Sequence, residues 1–159
     1  MKIRILAVGK LKDNYLVEGC LDYLKRLRKF ATVTIEEFPD LPTIESPSEI
    51  VKETIREKEC EKVLNKIKAK DYVVLLDLGG KELTSLDLSS ELSKWFTRGG
   101  SEIVFVIGGS LGLSEGMKKR GNAVFTLSKL TFTHGFARLL LLEQIYRAFK
   151  IIHHEPYNK

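Results

Sequence analysis

Short runs of branched apolar residues alternate along this chain with longer segments in which apolar positions return every three or four residues. Ile3 to Val8 is the first run and stops at Gly9. From Asp13 to Lys29, Leu16, Cys20, Leu24 and Leu27 recur at helical spacing with charges between them, which predicts a helix. Thr32 to Phe38 alternates Val33 and Ile35 with polar neighbours and predicts a second strand. Pro39, Pro42 and Pro47 then mark a loop. Ser46 or Ser48 can cap the helix that follows, in which Val51, Ile55, Val63, Leu64 and Ile67 recur among many charges on a wetted face. Tyr72 to Leu78 reads as a third strand closed by Gly79-Gly80, and Ser85 to Arg98 as a helix ended by Gly99-Gly100.

The pattern is densest from Ile103 onward. Ile103-Val104-Phe105-Val106-Ile107 is short, β-branched and bounded by glycines, so it reads as a fully buried strand. It runs into Gly108-Gly109-Ser110-Leu111-Gly112, where glycines allow positive φ and close approach of backbone to a ligand. A short basic segment follows, then a fifth strand-like run from Ala123 to Leu127, a polar stretch from Ser128 to Arg138, and a long helix to about Ile152. Five strands alternating with helices imply one α/β domain over residues 1–159, a mainly parallel sheet with helices on both faces. Ligands of such sheets bind beyond the carboxyl ends of the strands. A ligand at the glycine cluster would lie near Leu76, Gly108 and the segment Leu127 to Phe132. A packed tight turn is the alternative for the cluster taken alone.

The last helix carries Phe136, Leu139 to Leu142, Ile145, Tyr146, Phe149, Ile151 and Ile152, more apolar surface than one sheet-facing stripe needs. Either the helix is wedged deep in its own core, or its second face meets another subunit; the expectation is a homodimer, with Leu142 facing outward.

Composition narrows the class. At 159 residues, with 43% hydrophobic and 30% charged content, the chain is an ordinary soluble single domain by composition. A net charge of +5 leans mildly towards a polyanion such as RNA. Cys20 and Cys60 have no partner at metal-ligand spacing, so buried free thiols, no metal and a reducing cytoplasmic setting are expected. The opening residues lack an apolar leader, and no segment is long enough to span a membrane. There is no G-x-x-x-x-G-K-[ST] loop, no G-x-S-x-G elbow, no H-x-x-x-H pair and no dinucleotide fingerprint after the first strand.

Several separated motifs stand in register: Phe105 to Gly109 with Gly112; Leu127-Ser128 with Thr131; His134 and Arg138; Glu143 to Ala148; and Pro156-Tyr157. Together they resemble the RlmH family of SPOUT-class methyltransferases, and the likeness runs the whole length. It implies an α/β knot with a trefoil knot in the carboxyl-terminal third, and a homodimer with its S-adenosyl-L-methionine pocket by the subunit interface. It also implies methylation of N3 of a pseudouridine in large-subunit (23S) ribosomal RNA, on the assembled ribosome. A non-catalytic ribosome- or RNA-binding dimer that keeps the pocket is the alternative.

Carried over by position, the resemblance implies cofactor contacts at Leu76, Gly108, Leu127, Ser128, Lys129, Leu130, Thr131 and Phe132, with Tyr157 as an active-site element. Arg147 is read as the second catalytic residue because an arginine amid so much apolar surface needs a partner or a ligand; an ordinary ion pair is the alternative. His134 and Arg138 stand open between site residues and structural ones. The chain departs from the family in two places: Thr133 stands where Pro usually precedes the histidine, and Asn158 stands where a histidine usually follows Tyr157.

Overall fold

The chain folds as β1 (Lys2–Val8), α1 (Asn14–Leu27), β2 (Thr32–Phe38), α2 (Glu49–Leu64), β3 (Val73–Glu82), α3 (Ser85–Arg98), β4 (Glu102–Ile107), α4 (Glu115–Arg120), β5 (Ala123–Thr126) and α5 (His134–Ile152). The structure is a computed structural model and describes every residue from Met1 to Lys159. All five strands are parallel, in the order β2-β1-β4-β3-β5. No helix is long and apolar enough to cross a membrane.

Strand position explains strand composition. β1 and β4 lie inside the sheet and are covered on both faces, so they read as continuous apolar runs. Ile3, Ile5, Ile103 and Phe105 point to the layer made by α1, α3 and α5, while Leu6, Val8, Val104 and Val106 point to α2 and α4. β2 is an edge strand, half exposed, and it alternates as expected. Burial of each large core side chain contributes about 1.5–3 kcal/mol, and Phe105 and Leu92 are wholly buried.

Helix starts follow local chemistry. The Thr84 hydroxyl accepts the Asp87 N–H at 3.0 Å while the Asp87 carboxylate accepts the Thr84 N–H at 3.1 Å, a closed capping box at α3. Ser48 rather than Ser46 caps α2. The basic segment after the glycine loop is a helix, α4, capped by Ser114.

Two expectations are corrected. β3 does not stop at Gly79-Gly80. It continues to Glu82 because Gly80 lies flat against the β5 backbone, where an added Cβ would come within 2.6 Å of the Phe125 carbonyl carbon. Leu142 does not face outward; it is 0% exposed, because α5 lies in a groove between α1 and α3 as well as on the sheet. The surplus apolar surface of α5 is therefore mostly consumed within its own chain.

Candidate active site

The site begins with the turn after β4. The Gly112 N–H donates to the Gly109 carbonyl at 3.0 Å, and Gly112 takes φ +85°, a region that only glycine enters freely. Gly108 has an ordinary φ; its missing side chain serves the turn itself. A Cβ there would lie 2.8 Å from the Gly112 carbonyl carbon and 2.9 Å from its oxygen. The expectation of left-handed backbone thus belongs to Gly112, four residues on. From behind, α2 fixes the loop: Arg56 Nε donates to the Leu111 carbonyl at 2.7 Å, and the buried Glu59 carboxylate stands against Gly109. Burial pushes the Glu59 carboxyl above its ordinary value, although the Leu41 N–H it accepts at 2.9 Å opposes this.

In front of the loop lies a cleft of about 520 Å³, at the carboxyl ends of β3, β4 and β5. Leu76, Gly108, Leu127, Ser128, Leu130, Thr131 and Phe132 all line it. Lys129 does not; its side chain points to solvent from the same turn. That turn is held locally, with the Thr126 hydroxyl donating to the Ser128 carbonyl at 2.7 Å and the Ser128 hydroxyl accepting the Leu130 N–H at 3.0 Å. The far wall comes from an irregularity in β3. Leu76 and Lys81 both pair with Phe125, so residues 77–80 bulge out of the ladder and carry Asp77 and Leu78 to the cleft.

The amino-terminal end of α5 closes the cleft. Thr133, standing where a proline was the family habit, caps the helix by accepting the Phe136 N–H. His134 lines the cleft on one side and a smaller cavity of about 240 Å³ on the other. Its ring fills the space over Gly9, where a Cβ would come within 2.8 Å of the imidazole Cε1. Arg138 is buried and structural: it donates to Glu37 at 2.6 Å and to the Gly9 carbonyl at 3.0 Å, tying α5 to the ends of β1 and β2. Burial would raise the Glu37 carboxyl, but hydrogen bonds from Arg138 and from the Leu11 N–H overcome it and hold the group below its ordinary value.

Arg147 and Tyr157 are brought together, but away from this cleft. Ten residues of helix separate Ala137, at the cleft, from Arg147, a rise of about 15 Å. Arg147 donates to Glu143 at 2.6 Å and to the Asn158 side-chain carbonyl at 3.1 Å, and its guanidinium lies 4.7 Å from the centre of the Tyr157 ring. The Tyr157 hydroxyl donates to Glu143 at 3.1 Å and meets the Tyr23 hydroxyl at 3.4 Å. Farther along, Glu155 pairs with Lys29 at 2.7 Å and with Lys150, so the tail is fastened to α1 and α5.

Pattern reasoning missed Asp77, Arg56 and Glu59. Asp77 was hidden in an apolar strand. Arg56 and Glu59 sat among the charges of an exposed-looking helix, and only the packing of α2 on the loop singles them out.

The chain matches over residues 1–158 the family model described as "Predicted SPOUT methyltransferase". It is similar to proteins named "Ribosomal RNA large subunit methyltransferase H" from several bacteria. Identity is 48% with that of Desulforamulus reducens, over all of this chain and 99% of the relative. It is 47% with that of Pediococcus pentosaceus and 46% with that of Listeria monocytogenes, over the full length of both chains in each case. A parallel α/β sheet with a glycine loop and cleft at its carboxyl edge, matched along its whole length by these relatives, places the chain in the SPOUT methyltransferase family.

Proposed function

We propose that this enzyme is a homodimer that methylates N3 of a pseudouridine in large-subunit ribosomal RNA, using S-adenosyl-L-methionine as donor and the assembled ribosome as substrate. The observation that supports it most is the cleft of about 520 Å³ beside the Gly108–Gly112 turn, in a chain 48% identical over its full length to a protein named for ribosomal RNA methylation. The cleft suits the donor. Its volume falls in the range of small-molecule sites, and its lining offers apolar side chains for an adenine and glycine backbone for polar edges. Leu76, Leu127, Leu130 and Phe132 would hold the adenosyl part, with Gly108, Ser128 and Thr131 supplying hydrogen-bonding groups. When bound, the donor supplies an activated methyl group on a sulfonium.

The base must lose its N3 proton, and the negative charge that develops needs stabilising. Arg147 is suited to that. Its hydrogen bond with Glu143 raises its pKa, so it stays charged. Burial pushes the Tyr157 phenol up, and the Tyr23 and Glu143 contacts add to this, so Tyr157 acts as a hydrogen-bond donor and not as a base. With Asn158 in the tail there is no imidazole beside it, so the N3 proton leaves to solvent water while Arg147 stabilises the charge left on the base. Because Arg147 and Tyr157 cannot reach the cleft of their own chain, they act at the cleft of a second copy. The face for that copy includes exposed apolar residues: Leu130 at 70% and Phe132 at 38% exposure line the cleft, and Phe136 at 43%, two residues on from His134, has its ring 6.1 Å from that of Tyr15, which is 59% exposed.

The remaining surface carries no separate RNA-reading module, so the base is presented by folded RNA and protein around it. Calorimetry with S-adenosyl-L-methionine tests the reading. Micromolar binding, together with methyl incorporation into ribosomes exceeding that into naked RNA, supports it. A dimer that binds ribosomes but no donor would be the non-catalytic alternative.

A further inference from the structure

Asp77 is the single carboxylate on the cleft wall, and no lysine or arginine lines the cleft; His134 is its only other titratable group. The bulge in β3 puts Asp77 there, with Leu76 and Leu78 on either side. One of its oxygens, Oδ2, accepts the Gly79 N–H at 3.3 Å. The other, Oδ1, faces Gly112, 4.0 Å from where a Cβ would stand. Asp77 belongs to none of the twelve ion pairs of this chain, five of which join residues distant in sequence. A partly buried carboxylate in the cleft wall, with one oxygen uncommitted, attracts a cation.

We infer that Asp77 gives the cleft its charge selectivity: it favours a ligand of net positive charge over an otherwise identical neutral one. This rests on the proposal that the cleft takes S-adenosyl-L-methionine. That donor carries a sulfonium, an ammonium and a carboxylate, a net charge of about +1 near neutral pH, whereas the demethylated product has a thioether in place of the sulfonium and is net neutral. The two ligands share every other group. A lone carboxylate in a cleft with no lysine or arginine on its wall therefore acts mainly on what differs between them. It holds the donor and lets the product go. Because the attraction belongs to the bound ground state, it lowers the KM for the donor and does not raise kcat.

The test is calorimetric and does not depend on turnover. Affinities for S-adenosyl-L-methionine and S-adenosyl-L-homocysteine are measured on the wild-type protein and on Asp77→Asn, which can still accept the Gly79 N–H and so preserves the bulge. The expected result is a loss of about three- to tenfold in donor affinity, the size of one ion pair at a partly exposed position, with product affinity unchanged. Asp77→Glu, which keeps the charge, should keep the preference, and added salt should weaken donor binding in the wild type but not in Asp77→Asn. Equal losses for both ligands would show that Asp77 reads a group they share and would overturn the inference. Unchanged affinity for both would overturn it as well. A wild-type protein that binds neither ligand would instead remove the reading of the cleft itself.

Discussion

Replacing Gly108 by Ala tests the glycine turn with the smallest possible change. The added Cβ would stand 2.8 Å from the Gly112 carbonyl carbon, 2.9 Å from its oxygen and 3.0 Å from Leu113 Cδ2. Ordinary carbon contacts begin near 3.5 Å, so the Gly112 backbone must retreat by roughly 0.7 Å. It cannot retreat freely, since the Gly109 to Gly112 hydrogen bond and the Arg56 to Leu111 hydrogen bond hold the loop from both sides. Overpacking of this kind costs about 1–3 kcal/mol. In a domain of this size that lowers the Tm by roughly 2–4 °C per kcal/mol. Because Gly112 also lines the cleft, donor affinity should fall about tenfold in the folded variant, a loss of about 1.4 kcal/mol. Gly100→Ala is the control. Gly100, unlike Gly108, needs positive φ, at +61°, but has open space around it and lies away from the cleft, so it should lose about 1 kcal/mol of stability and no affinity. Thermal melts and calorimetry with S-adenosyl-L-methionine decide the matter. Wild-type affinity in Gly108→Ala, or an equal loss of affinity in Gly100→Ala, would refute the reasoning.

Leu142→Glu should unfold the chain rather than divide a dimer, since it buries an unpaired carboxylate between three helices at a cost of several kcal/mol, whereas Phe136→Glu should yield a folded monomer; circular dichroism and light scattering distinguish the two. Glu37 has a folded-state pKa below its ordinary value of 4.5, so the stability it lends through Arg138 is present above that pH and is lost as pH falls through the lowered folded value; Glu37→Gln should flatten the dependence of Tm on pH below about 4.5 and cost stability at neutral pH. Mixing Gly108→Val, whose branched side chain cannot fit where even a Cβ stands 2.8 Å from the Gly112 carbonyl carbon, with Arg147→Ala, each inactive alone, should restore about a quarter of wild-type methylation after subunit exchange, because half the dimers are mixed and each mixed dimer has one site with both parts intact. No recovery would place Arg147 at the cleft of its own chain.

Much of this architecture was legible in the chain because local pattern and final environment agree. β2 and the helix Ser85–Arg98 appear with the bounds that alternation and capping residues predict. The continuous apolar run Ile103 to Ile107 correctly marks a strand covered on both faces. What could not be read depends on neighbours distant in sequence. Gly79-Gly80 looks like a stop, but its place is set by the β5 backbone, which also makes the bulge that delivers Asp77 to the cleft. The outward face of α5 could not be assigned from periodicity, because α1 and α3 claim most of its circumference. Lys129 belongs to a segment that lines the cleft, yet the turn that aims Ser128 inward leaves the lysine exposed. Nothing in the local pattern around Arg147 and Tyr157 shows that they pack together; that, and their distance from the cleft of the same chain, depend on the length of α5 and the path of the tail.

The central claim is methylation of pseudouridine N3 in the large ribosomal subunit, and the most direct measurement is mass mapping of large-subunit RNA. Cells with the intact gene, cells lacking it, and deletion cells carrying either the wild-type gene or Gly108→Val would be compared. The account predicts one pseudouridine that carries an N3 methyl in the first, lacks it in the second, regains it with the wild-type gene and not with the variant. The purified enzyme should restore the same mark on isolated ribosomes faster than on protein-free RNA. An unchanged methylation map in the deletion cells, or a restored mark on any other atom, would contradict it.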